Sequence, residues 1–101
     1  MLEYPYFHDL PLKEIIIDWR LKSIRLLIAK YPSEPVEIVA SKFSQFQCSS
    51  LESWGPSRSI YFCTVDLKKM VLEMQSGDTI EITAEDFAFP NDAVPSPPTK
   101  E

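Results

Sequence analysis

The side chains able to do acid–base, nucleophilic or metal chemistry are few, and their spacing limits what each could do. The one histidine, His8, directly precedes Asp9. An imidazole oriented by a carboxylate is the arrangement of a general base. Neighbouring residues of an extended chain point to opposite faces, however, so the pair also reads as structural or incidental. Glu73 and Glu81 flank Gly77 and would form an acid–base carboxylate pair if they met across a hairpin. Period-two alternation instead puts both on a solvated face. Cys48 and Cys63 could form one disulfide but read as reduced, buried thiols, with no basic neighbour or helix N-terminus to activate either. One histidine and two cysteines without a C-x-x-C pair fall short of a four-ligand zinc site. Two glycines are too few for a phosphate-cradling loop. No metal, no cofactor and no enzymatic activity is expected. The enzymatic alternative is a small hydrolase or isomerase using His8 with Asp9, Ser57 or Glu73.

Both glycines fall in segments that strand alternation does not explain. Trp54-Gly55-Pro56-Ser57 reads as a corner in which the indole packs, glycine bends and proline fixes the next φ. Its functional reading is an exposed aromatic anchor. Gln75-Ser76-Gly77-Asp78 reads as a hairpin turn, with Gly77 supplying a positive φ. Its functional reading is a polar loop offering a carboxylate and backbone N–H groups. These eight residues, with His8 and Asp9, are the candidate binding residues.

Charge narrows the partners. The 101 residues include 10 Lys and Arg against 15 Asp and Glu, a formal net charge of -5. Such a chain repels phosphate, and its largest basic group is the pair Lys68-Lys69, so neither nucleic acid nor an anionic membrane is expected. A basic protein partner is electrostatically easier. The start, Met1-Leu2-Glu3-Tyr4-Pro5-Tyr6, lacks the basic and apolar regions of a secretory signal. Ile15-Ile16-Ile17 and Leu26-Leu27-Ile28-Ala29 are far shorter than the ~20 residues that cross a bilayer. The expected location is cytoplasmic.

The elements that would position these residues are strands. Lys13–Asp18 and Ser23–Ile28 are β-branched runs separated by Trp19-Arg20-Leu21-Lys22, the length of a four-residue hairpin loop. A competing reading makes residues 10 to 30 one helix with Asp9 as its cap. The isoleucines favour strands. Further strands run from Val36 to Cys48 with a bulge, from Arg58 to Val65, from Met70 to Met74, and from Thr79 to Ala84. The expectation is a mostly β fold: one antiparallel sheet of about six strands, curled or folded as a sandwich, over residues 1–88. Residues 89–101, with four prolines, read as a disordered tail.

The motifs His8-Asp9, Asp18-Trp19, Trp54-Gly55-Pro56-Ser57-x-Ser59-Ile60 and Glu73-Met74-Gln75-Ser76-Gly77-Asp78 together resemble a family of small bacterial proteins of unknown function. The resemblance spans roughly residues 8 to 84. Some members are immunity-type or accessory proteins, and the resemblance implies no catalysis. The chain departs from that pattern at Tyr61-Phe62, where more polar residues are expected, and in its Pro-rich end. The function expected is a non-enzymatic protein-binding module. Apolar residues on both faces of the first two strands call for a protein partner or a homo-oligomer to cover the surplus.

Overall fold

A computed structural model describes residues 2–30, 32–48 and 59–95. The β-branched runs form strands: β1 (Leu2–Glu3), β2 (Leu12–Asp18), β3 (Ser23–Ile28), β4 (Val36–Cys48), β5 (Ile60–Asp66), β6 (Lys69–Met74) and β7 (Thr79–Ala88). They make one antiparallel sheet in the order β1-β5-β6-β7-β4-β3-β2, which does not close into a barrel. Six of these are the expected strands, and the seventh is the two-residue β1. The alternative helix over residues 10 to 30 does not form, since Ile15, Ile16 and Ile17 pair with Leu26, Arg25 and Ile24.

A single sheet buries one face this completely only by curling, and its two longest strands carry an irregularity that favours it. β4 and β7 are paired along their lengths, with a register shift between Phe43 and Gln45 and a positive φ of 56° at Lys42. A bulge of this kind sharpens the local twist. The concave face gathers Ile24, Leu26, Ile28, Ile38, Ile60, Cys63, Met70, Leu72 and Ile82 into one core cluster, each at most 1% exposed. No buried side-chain polar atom among the described residues lacks a partner.

The N-terminal segment ties the two sheet edges together. Glu3 pairs with Thr64 of β5, and the Tyr4 N–H donates to Cys63 O at 2.9 Å. A 3-10 turn at Pro5–Phe7 then leaves the ladder and drops Phe7 wholly into the core. The chain returns at Asp9, whose N–H donates to Ile60 O at 2.8 Å, and Pro11 bridges Ser59 before β2 begins.

The packing of residues 89–93 corrects the boundary expected at Ala88. The Phe89 ring stacks on Tyr4 with centroids 4.0 Å apart, and Ala93 is buried in the core cluster. Lys30 Nζ donates to Tyr6 Oη at 2.7 Å and to Asp92 Oδ2 at 3.3 Å. Residues 89–93 therefore belong to the fold: proline prevents strand pairing there but does not prevent two aromatic rings from meeting. Residues 96–101 lie outside the described residues.

Candidate functional site

A gap in the pairing of β5 creates a partly enclosed cavity. The ladder stops at Tyr4, whose N–H donates to Cys63 O, because the chain enters the 3-10 turn at Pro5–Phe7, for which the fixed φ of Pro5 is suited. Tyr6, next in register to donate to Tyr61 O, is thereby lifted away. On the other side, the β5–β6 register slips between Ile60 and Phe62. This bulge breaks the period-two alternation of a regular strand, because Ile60 and Cys63 are buried while Tyr61 and Phe62 are both exposed. Between the lifted segment and the bulge lies a cavity of about 190 Å³, lined by Glu3, Tyr4, Pro5, His8, Tyr61, Phe62 and Cys63.

His8 fills the place of the missing backbone donor. Its Nδ1 lies 2.9 Å from Tyr61 O. A carbonyl only accepts, so Nδ1 carries the proton and donates. Its Nε2 is 3.5 Å from Asp9 Oδ2, and the ring meets Tyr61 edge-on with centroids 5.8 Å apart. Asp9 sits at φ 70° where the chain reverses, a conformation that Asp tolerates better than most residues. Its Oδ1 accepts from Gln75 Nε2. The structure thus brings together His8, Asp9 and Gln75, which lie 66 positions apart from Asp9 to Gln75.

The rest of the Gln75–Asp78 candidate is a turn held by its own bonds. Gly77 has φ 102°, its N–H donates to Met74 O at 2.9 Å, and Ser76 Oγ donates to Asp78 Oδ2 at 3.1 Å. Trp54, Gly55, Pro56 and Ser57 lie outside the described residues. Glu73 and Glu81 are not a pair: they stand opposite Thr79 and Val71, and Lys69 Nζ is 2.9 Å from Glu81. Neither cysteine is in a disulfide, because β4 and β5 are separated by β6 and β7. Cys48, expected to be buried, is exposed.

Burial governs the thiol and the phenol beside the cavity. Burial pushes the Cys63 thiol up to about 12, and burial followed by Cys63 raises Tyr4. A general base takes the proton on its free nitrogen while an acid braces the other. Here the carbonyl occupies Nδ1, and the carboxylate near the ring is on the Nε2 side. No group of three or more potential metal ligands occurs among the described residues.

A second surface was not legible as a site. At the β2–β3 hairpin end, Trp19 is 70% exposed, Leu21 65% and Ile17 42%. The Leu21 N–H donates to Asp18 Oδ1 at 3.0 Å, and the Phe43 N–H donates to Lys22 O at 3.0 Å, so the loop is pinned at both ends. Lys22 Nζ sits 3.6 Å above the Trp19 ring, and Phe43 meets it edge-on at 6.0 Å. The available signal was chemical: a hairpin loop normally takes Gly, Asn, Asp or Ser, and this one holds Trp and Leu.

No protein-family model, no curated protein and no solved structure matches this chain.

Proposed function

We propose that the chain is a non-enzymatic protein-binding module that makes contact through the β2–β3 hairpin end, in the manner of the immunity-type proteins its motifs resemble. The observation that carries this reading is Trp19, which is largely exposed yet held between Lys22 and Phe43. Exposed, preordered tryptophans are frequent anchors of protein interfaces, because little side-chain entropy remains to be lost on binding. Leu21 and Ile17 extend the apolar surface around it. The net charge of -5 favours a basic partner over an acidic one. A hydrolase or isomerase using His8 has weaker support, since its Nδ1 is committed to a carbonyl and the neighbouring thiol is held protonated.

The test compares wild type with Trp19→Ala by light scattering and by affinity capture from native lysate. The variant is expected to keep the wild-type circular dichroism and melting temperature while losing the captured protein. If wild type forms a dimer that Trp19→Ala abolishes, the partner is a second copy. Unchanged capture and unchanged oligomeric state in a folded variant would refute the assignment of this surface.

A further inference from the structure

We propose that the cavity beside the β5 bulge receives a cationic side chain, lysine or arginine, presented by a basic protein partner. At about 190 Å³ it is smaller than the roughly 300–1,000 Å³ of sites that enclose a small-molecule ligand. A space of that size suits one long side chain better than an enclosed small molecule.

Its walls favour a cation. The Tyr61 and Phe62 rings are half-exposed and tilted by 50° with centroids 6.1 Å apart, forming an open aromatic angle. Glu3 lines the cavity. Glu73 stands directly opposite Phe62 across β5–β6, so Glu3, Phe62 and Glu73 share the outward face of the sheet. Among the described residues no lysine or arginine lines the cavity. Of the described cations, Lys30, Lys68, Lys69 and Arg25 are engaged by Asp92, Glu85, Glu81 and Glu37, and none of these four reaches Glu3 or Glu73. An aromatic angle with one carboxylate in its lining and a second across the strand from Phe62, neither in an ion pair with a described lysine or arginine, is the arrangement that binds an ammonium or guanidinium group. The apolar ring faces alone would also accept a norleucine-like chain, so the carboxylates supply the discrimination. His8 acts as a positioning residue, since its bond to Tyr61 O holds the bulge that turns Tyr61 and Phe62 outward.

The experiment titrates the isotope-labelled full chain, at low and physiological ionic strength, with capped Ala-Lys-Ala, Ala-Arg-Ala and Ala-norleucine-Ala peptides. Amide shifts are followed by NMR. The cationic peptides are expected to shift Glu3, Tyr4, His8, Tyr61 and Phe62 and to leave the hairpin residues 17–22 unmoved. Glu3→Gln and Phe62→Leu, both at partly exposed positions, should each weaken binding roughly three- to tenfold. Equal binding of the norleucine peptide, shifts spread over every acidic surface, or no effect of either variant would overturn the proposal. Free lysine binding as tightly as the lysine peptide would overturn the partner's side chain as the occupant. Trp19→Ala should leave the titration unchanged, so failure here is separate from failure of the hairpin reading.

Discussion

Replacing Phe89 by alanine asks whether the end of the chain is part of the fold or a tail. The ring stacks on Tyr4 at a centroid distance of 4.0 Å with planes 16° apart, lies 6.3 Å from Phe7, and packs partly buried against the core. A fully buried Phe→Ala change typically costs about 3–5 kcal/mol. Partial burial halves that, and loss of the stacked pair adds about 0.5–1.5 kcal/mol. The expected loss is therefore about 2–4 kcal/mol. In urea unfolding this lowers the midpoint by roughly 1–2 M, and it lowers the melting temperature by roughly 10–30 °C. Val94→Ala, at a residue 69% exposed, is the control and should change neither. A double-mutant cycle with Tyr4→Ala should return a coupling of about 0.5–1.5 kcal/mol. If Phe89→Ala melts within ~2 °C of wild type, the ring does not pack and the fold ends at Ala88, as composition alone suggests.

Other consequences are separable by equally simple measurements. Leu67 adopts φ 57° while 91% exposed, so Leu67→Gly should relieve backbone strain and stabilise the protein by about 1 kcal/mol. Gly77→Ala should do the reverse, costing about 1–2 kcal/mol, because φ is 102° although a Cβ there meets nothing within 4 Å. Burial moves Cys63 from 9.0 to about 12, so between those values the unfolded chain releases a proton that the folded one keeps. Stability is then complete below pH 9.0 and declines as pH rises toward 12, by about 1.4 kcal/mol per unit, with Tyr4 adding in the same sense. Urea midpoints at rising pH should show this slope, and Cys63→Ala should reduce it, leaving the part that Tyr4 contributes. A slope unchanged in that variant would refute burial of the thiol as its cause.

The strands were legible because their signal is local. Ile80 and Ile82 buried between Glu81 and Thr83 follow period-two patterning, and the four-residue gap at Trp19–Lys22 sets the Asp18–Ser23 hairpin register. What lies across the sheet was not legible. Pairing order decides that Cys48 and Cys63 are strangers and that Glu81 meets Lys69 instead of Glu73. The β5 bulge was hidden because Tyr61-Phe62 reads as ordinary alternation until the Ile60–Met74 and Phe62–Glu73 registers are known. Of the candidate residues, His8, Asp9 and Gln75 converge, but the sequence could not show that the imidazole would reach the Tyr61 carbonyl across the fold. Phe89 was hidden by its company, since proline-rich composition says nothing about one aromatic ring within reach of another.

Physical economy supports reading both exposed apolar sites as recognition surfaces. A four-residue hairpin loop closes well on small polar residues, and the strand face at Phe62 borders solvent, where threonine would satisfy the sheet. Trp19, Leu21, Tyr61 and Phe62 are each at least 39% exposed, so little of their hydrophobic free energy goes into folding. Their exposure adds to the risk of non-specific association. The chain also adds groups that hold these side chains in place: Lys22 over the indole, and His8 bonded to the bulge carbonyl. Apolar groups that contribute little to the core, and are nonetheless fixed in position, contribute to binding by lowering the entropy lost when a partner arrives. Removing the clamp while keeping the aromatic ring separates this idea from simple stickiness. Lys22→Ala should weaken partner capture through Trp19 although the indole remains, whereas an adhesive patch without geometric preference would bind as well or better.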